Sequence, residues 1–504
     1  MRDRARLDSR RGTGGIERFL RFFTDIRAGE AGTALLLTAN VFLLICSYSL
    51  LKVLREPLIL AGGGAEVKSY SSAGQAVLLL LIVPLYGALA GRLPRRKLIN
   101  TVTIVFLGCL VGFFALARFQ VSIGVVFYIW LGIFNVMVIA QFWSFANDVY
   151  TSDEGKRLFP IIAFGQSAGA VLGAYLAGKA IDLFGLYAIF LIAAVLLVLG
   201  TLITNLVDTR ERRRTEASRS VTDSTALAPA STREVRLESG EFRIADLEAE
   251  LKKAEAQAGE RPPSAPPPPK APSPKRADKV GRGNAFQLVF ASRYLTLIAI
   301  MIFVLNWVNS TGEYLLGRTV THAAAQAVSV AHMSPEAADS FRKVFIGKFY
   351  SRYQLGVNLL GLVLQLFFVS RILKWFGIRV AVMVMPVIAL LGYGSLALVP
   401  ILSVVRAVKT AENATDYSLQ NTVRQVLFLP TTREQKYKAK QAIDSFFVRA
   451  GDVFSAGLVL LGSQFLAFGS AGFAAVNLGL AAIWLVLAFW TGQENAKLSA
   501  AAAV

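Results

Sequence analysis

The sequence predicts an all-α membrane protein of about twelve transmembrane helices arranged as two six-helix halves. Three observations predict it. Apolar runs of membrane-spanning length recur along the chain, six before and six after a charged, proline-rich stretch at residues 208–284. Of the 504 residues 54% are hydrophobic, too many for a string of soluble domains. Lysine and arginine gather in alternate short loops, the asymmetry that orients helices in a membrane.

Residues 1–32 form a basic N-terminus. Its opening MRDRARLDSRRGTGG is not followed by a short apolar core with a small-residue cleavage site, so no cleaved leader is expected. In IERFLRFFTDIR, Phe19, Phe22, Phe23 and Ile26 interleave with Arg18, Arg21 and Arg27, as in an amphipathic helix lying on a lipid surface.

The N-terminal half, 33–207, divides into spans at 33–52, 70–91, 98–118, 122–147, 159–181 and 186–207. The C-terminal half, 285–504, divides into spans at 293–317, 345–370, 378–401, 403–427, 442–467 and 470–491. The basic loops GRLPRRK, DEGKR, SRILKWFGIR and TTREQKYKAK fall on one side, which the positive-inside rule makes cytoplasmic together with both termini. A bacterial inner membrane is the expected location. Between the halves, EFRIADLEAELKKAEAQ has the composition of a short surface helix, and PPSAPPPPKAPSPKR favours extended polyproline conformations. Residues 208–284 are therefore expected to be a disordered cytoplasmic tether and a candidate contact for a cytoplasmic partner.

A net charge of +20 raises the question of nucleic acid, but its distribution over terminus, linker and loops is the membrane pattern, and no nucleic-acid partner is expected. The cysteines, Cys46 and Cys109, both lie in apolar runs, which supports neither a disulfide framework nor a zinc site. His322 and His332 share one polar loop, where solvent exposure is the simplest reading. No metal or cofactor is expected. No G-x-x-x-x-G-K-[ST] loop occurs, and no nucleophile–base pair or paired carboxylates stand out, so the chain does not read as an enzyme.

Charges inside spans cost roughly 3 kcal/mol or more unless partnered or hydrated, so they are the first candidates for a solute pathway. Span 1 ends in YSLLKVLREP, which places Tyr48, Lys52 and Arg55 on one helix face with Glu56 adjacent. That face either meets an anion, or Lys52 and Arg55 snorkel to headgroups or pair with Glu56. Span 7 carries Asn306, Asn309, Ser310 and Glu313 at helical spacing, a polar stripe that must face protein or water. Glu313 is either a proton carrier or the fixed partner of a basic residue.

Span 10 is the most polar, with Arg406, Lys409, Asn413, Asp416, Gln420 and Arg424 three or four residues apart. They either line a cavity between the halves or mark an interfacial helix outside the bilayer. Span 4 ends at Asn147 and Asp148, and the turn after it offers Asp153, Glu154, Lys156 and Arg157 as gate ion pairs or as a plain solvated turn. Gly165, Ala168, Gly169 and Gly173 give span 5 a small-residue face for close helix packing. Internal symmetry is weak but present: Tyr48 and Lys52 are spaced like Tyr314 and Arg318.

FWSFAND followed by TSDEGKRLFP resembles the span-4 motif of the ATP/ADP translocase family, the nucleotide transporters of plastids and intracellular bacteria. YSLLKVLRE, NWVNST and the stretch from Lys409 through FLPTTREQKYKAKQAID resemble the same family in the same order, across both halves but not the linker. The resemblance implies a major-facilitator fold. It also implies substrate roles: the family's span-1 lysine falls on Lys52, its basic and acidic pair on Arg55 and Glu56, and its span-10 lysine on Arg424. The chain departs from the family where the span-7 acidic residue falls on Asn309, the nearby lysine on Glu313 and the span-4 glutamate on Leu131.

The expected function is secondary active transport of an anionic small molecule, with nucleotide exchange as the sharpest form, by two halves rocking about a site formed by spans 1, 4, 7 and 10. Substrate contacts are expected from Lys52, Arg55, Asn309, Glu313, Lys409 and Arg424, and gating or structural roles from Glu56, Asn147, Asp148, Asp153, Glu154, Lys156, Arg157 and Asp416. Arg406 adds to the cationic set, and Tyr48, Trp143 and Trp307 are the aromatics available to a base. Two rival readings are a proton-coupled carrier of another metabolite and a non-transporting scaffold that recruits a partner through its linker.

Overall fold

A computed structural model describes residues 30–90, 94–150, 152–226, 285–432 and 434–501, and every regular element among them is helical. The amphipathic segment before Glu30 and the polyproline stretch of the linker lie outside the described residues. The chain divides into one compact unit of residues 1–207 and 282–504 and a second of 208–281. The described part of the second unit, 208–226, is helical and carries an Arg212–Asp208 ion pair at 2.9 Å.

The first helix, α1 (Ala31–Ala90), is far longer than one crossing needs, and glycine resolves it. Gly64 sits at φ 74°, ψ −176°, a conformation that side chains with a Cβ avoid. Glu56 and Lys68 stand on either side, and their charged atoms come within 2.6 Å. Twelve residues of straight helix would hold them about 18 Å apart along the axis, so the chain folds back at Gly64. Lys68, expected in a loop between spans 1 and 2, is therefore helical and buried.

The N-terminal half continues with α2 (Arg95–Arg118), α3 (Gly124–Val149), α4 (Ser152–Phe184) and α5 (Ala188–Ala226). A short α6 (Ala285–Ala291) leads into α7 (Arg293–Val330) and α8 (Pro335–Val363). A π turn (Leu364–Phe368) joins α8 to α9 (Val369–Leu398), which bends at Gly377, φ 70°. Next come α10 (Leu402–Thr415), a π turn (Asp416–Gln420) and α11 (Asn421–Leu427). The short α12 (Lys440–Ala442) lies between two more π turns before α13 (Val448–Gln464) and α14 (Ser470–Ala501). α7 runs past the expected end at 317, so His322 is helical and not in a loop; both histidines are exposed.

Nine helical runs among the described residues are long and apolar enough to cross a membrane. Two of them, at 57 and 64 residues, are more than twice the roughly 20 residues of a single crossing. Leu402–Leu427 is not among the nine because its charges lower its hydropathy, yet Lys409, Glu412 and Asn413 are buried in the bundle rather than spread on a surface. Large apolar side chains such as Leu81 and Leu391 point outward, as lipid-facing helices require.

Each half has its own core. In the N-terminal half Phe106, Phe113, Phe127, Trp130, Phe134 and Phe190 pack ring on ring. α4 lies against α1 through Gly165, Gly169 and Gly173, which face Thr38, Phe42 and Cys46; a Cβ on Gly173 would sit 2.5 Å from the Cys46 carbonyl oxygen. In the C-terminal half Tyr314, Tyr353, Tyr393 and Trp484 belong to one buried cluster, which also takes in Ile59, Leu60 and Ala65 of α1. The halves thus join most firmly near the Gly64 turn.

Candidate functional site

Two ends of the bundle can be told apart by their contacts. At the near end Glu30 receives Arg157 in a bidentate pair at 2.9 and 3.0 Å, and the Tyr294 hydroxyl donates to the Leu427 carbonyl at 2.7 Å. At the far end, beyond the Gly64 turn, the halves are shut against each other. Gly347 meets Ile181, Leu186 and Pro57, Gly178 meets Ser351, and Lys348 pairs with Asp182 at 2.6 Å. The Tyr314 hydroxyl donates to Glu66 across the halves at 2.8 Å.

Two cavities lie between the halves, on the near side of that closure. The smaller, about 160 Å³, is lined by Lys52, Arg55, Glu56, Lys68, Glu313 and Asp452 together with neutral polar groups. The larger, about 740 Å³, reaches toward the near end between Tyr48, Asn135, Trp143, Gln166, Asn358 and Gln365. They share Lys52, Gln354 and Tyr417, which form a waist. Lys52 comes from α1 and Tyr417 from the π turn of the other half, and the lysine ammonium donates to the phenol oxygen at 3.1 Å.

Around the smaller cavity the charges are linked in a buried chain. Arg55 donates to Glu56 Oε1 at 3.0 and 2.5 Å, and its guanidinium lies 4.4 Å from the centre of the Tyr128 ring. Lys68 pairs with the other oxygen of Glu56 and approaches Glu313 at 3.7 Å. Lys409 stands behind the lining, fully buried, bound to Glu412 at 2.9 Å and Asn309 Oδ1 at 2.8 Å, with Glu313 at 3.6 Å. Asn413 donates to Glu313 at 2.9 Å and the Tyr393 hydroxyl donates to Glu412 at 2.9 Å. Asp452 accepts from Ser310 at 2.6 Å and pairs with Arg449. Such pairs persist inside a membrane protein because each charge finds an opposite charge or a hydrogen bond there.

The structure brings together Lys52, Arg55, Glu56, Asn309, Glu313 and Lys409, six of the sequence candidates. It sets others apart. Arg424 lines neither cavity; it donates to Asp444 at 2.9 Å, and Lys440 shares that carboxylate at 2.6 Å. Asp416 is half-buried in the π turn and Arg406 is exposed, and neither is on a cavity wall. Asn147 and Asp148 are exposed at the end of α3, and Glu154 is half-buried early in α4. The side chains of Asp153 and Lys156 lie outside the described residues. Arg157 holds the starts of α1 and α4 together within one half. Of the three aromatics, Tyr48 and Trp143 line the larger cavity, whereas Trp307 packs on Phe303 and Phe454.

The π turn explains the span-10 result. Its i→i+5 bonding puts more residues in each turn than an α-helix does, so a stripe extrapolated at α-helical spacing leaves the face it started on. Asn413 is followed on the cavity side by Tyr417 and Asn421, in place of Asp416, Gln420 and Arg424, while Lys409 stays behind the lining. Sequence reasoning also missed Lys68, Tyr128, Gln354, Glu412 and Asp452. The Arg449–Asp452 spacing within the span 442–467 was a readable signal for Asp452, and the helical spacing of Lys68, Ser69 and Ser72 after the glycines was one for the second arm of α1.

The model of the Major Facilitator Superfamily matches residues 37–428. Solved structures share the fold over nearly the whole chain. A nucleoside transporter, NupG, is 14% identical with a TM-score of 0.53, covering 91% of this chain and 98% of that one. A bacterial homologue of the iron transporter ferroportin in an inward-facing state is 11% identical with a TM-score of 0.58, over 91% and 98%. A POT family transporter in complex with 5-aminolevulinic acid is 12% identical with a TM-score of 0.55, over 93% and 96%. No curated protein matches the chain by sequence.

Proposed function

The chain belongs to the major facilitator superfamily, a multi-pass membrane transporter by family, and on that premise we propose that its solute is an organic anion of nucleotide type, bound between the halves. One observation carries the reading. Among the described residues, Lys52 is the lining cation with no carboxylate in ion-pair range: Arg55, Lys68 and Lys409 each have one, while Lys52 has the neutral Tyr417 hydroxyl. A half-buried ammonium between the halves is costly until an anion meets it, so the waist is a place where a solute's charge is stabilised.

The larger cavity supplies the rest. At about 740 Å³ it is within the range of small-molecule sites. Tyr48 and Trp143 on its wall offer ring faces to a planar base, and Asn135, Gln166, Asn358 and Gln365 offer hydrogen bonds without charge. An anionic group at Lys52 with its organic body toward the near end fits this division. Far-end closure and a near-end cavity describe one end state of alternating access, with the near end cytoplasmic on the basic-loop pattern.

The test is uptake of labelled ATP, ADP and inorganic phosphate into liposomes holding the purified protein, with and without internal nucleotide. Nucleotide uptake that requires internal nucleotide supports exchange. Uptake of phosphate alone moves the assignment to smaller anions, and uptake of neither overturns the nucleotide reading. A proton-coupled carrier is the second reading, favoured by a carboxylate, Glu313, on the cavity wall; uptake that follows an imposed pH gradient without internal solute would select it.

A further inference from the structure

Four carboxylates stand in the charged layer, and three of them are closed: Asp452 accepts from Ser310 at 2.6 Å and pairs with Arg449. Glu56 is 3% exposed and clamped by Arg55 and Lys68. Glu412 is 0% exposed and takes Lys409 and the Tyr393 hydroxyl on one oxygen. Glu313 differs. Its side chain is 28% exposed, toward the cavity it lines, and its oxygens stand 3.7 Å from Lys68 and 3.6 Å from Lys409, well beyond the 2.6 and 2.9 Å of those lysines' other acid partners. Lys68 is on α1 and Lys409 on α10, so this one carboxylate lies between cations of opposite halves.

We propose that Glu313 is a resident counter-ion that sets the carrier's selectivity for anion charge: the solute's anionic group takes its place between Lys68 and Lys409, and Glu313 returns as the solute leaves. The inference rests on the reading that the solute is an anion. Its chemistry follows from the layer's balance. Lys52, Arg55, Lys68, Lys409 and Arg449 face Glu56, Glu313, Glu412 and Asp452, which leaves one unmatched positive charge. Moving Glu313 aside exposes a second, so the site matches a group that carries two negative charges, such as a terminal phosphate, better than one that carries a single charge. While empty, the bridge also ties the halves together on the far side of the waist.

The experiment separates this inference from the anion reading by using two probes. In a chain with Cys46 and Cys109 replaced by alanine, a single cysteine at Ser351, which is buried where its hydroxyl donates to the Ala174 carbonyl of the other half, reports far-end opening. Labelling by a membrane-impermeant maleimide in nanodiscs is expected to be several-fold faster with Glu313→Gln than with the parent, and millimolar sulfate is expected to slow it again. Glu313→Asp, which keeps the charge, is expected to label at the parent rate, and it guards against a mere folding defect. Equal rates for the parent and Glu313→Gln, or no effect of sulfate on Glu313→Gln, would overturn the inference. Binding of labelled ATP to the same proteins is the second probe, with a several-fold lower Kd expected for Glu313→Gln. If labelling behaves as expected and ATP binds to neither protein, the counter-ion stands and the nucleotide reading falls; if ATP binds equally to both and labelling is unchanged, the reverse holds.

Discussion

Lys52 and Tyr417 meet across the two halves, ammonium nitrogen to phenol oxygen at 3.1 Å, with the same ammonium 5.3 Å from the centre of the ring. The contact divides the charged cavity from the larger one. It also holds a cation in place with a neutral partner, so the charge is positioned but not neutralised.

Tyr417→Phe keeps the ring and removes the hydroxyl. A hydrogen bond of this kind contributes about 1 kcal/mol, so KM for the transported anion is expected to rise roughly five-fold with little change in maximal rate. Tyr417→Leu, which removes the ring as well, is expected to raise it further. Initial-rate uptake in proteoliposomes measures both.

Lys68→Met leaves Glu56 buried with Arg55 as its remaining cation. Removing one partner of a buried pair costs about 3–5 kcal/mol, so the thermal midpoint in detergent is expected to fall markedly. Adding Glu56→Gln to Lys68→Met is expected to recover part of the loss, because the uncompensated charge is then gone. No fall in midpoint for the single variant would contradict the pairing.

Two glycine substitutions on the same scale separate packing from backbone effects. Gly173→Val drives a side chain into the α1 backbone at Cys46 and is expected to lower both yield and thermal midpoint. Gly457→Ala, in α13 with open space around it, is expected to be neutral or to stabilise by up to about 1 kcal/mol.

Arg424→Ala distinguishes geometry from resemblance. The resemblance to nucleotide translocases puts a substrate lysine at this position, whereas the structure pairs Arg424 with Asp444 in a half-exposed cluster off the cavity walls. KM is expected to be unchanged and stability to change by no more than about 1 kcal/mol. A KM increase above ten-fold would restore Arg424 to the solute site.

How legible the site was depended on whether a residue's surroundings were helical in the ordinary way. The apolar runs gave the spans of α2 to α5 closely, since lipid leaves a helix few alternatives. The stripe of span 7 was expected to face protein or water, and it does both: Asn309, Ser310 and Glu313 line the cavity, and Asn306 packs against Gly451 of α13. Lys68 was hidden because GGGAEVKSYSS has the composition of a loop, and only the positive φ of Gly64 shows that the chain reverses within a few residues and keeps helix on both sides. In span 10 the charged residues were seen but their directions were not, because a π turn between Asp416 and Gln420 is set by tertiary packing and leaves no periodic trace.

The most direct test of the central claim, that Lys52 holds the solute's negative charge at the waist, is anion uptake by Lys52→Ala beside Lys52→Arg. The account predicts that Lys52→Ala loses uptake at least ten-fold while remaining monodisperse with an unchanged thermal midpoint, and that Lys52→Arg retains a measurable rate with raised KM. Uptake by Lys52→Ala at the parent's rate and KM would contradict it.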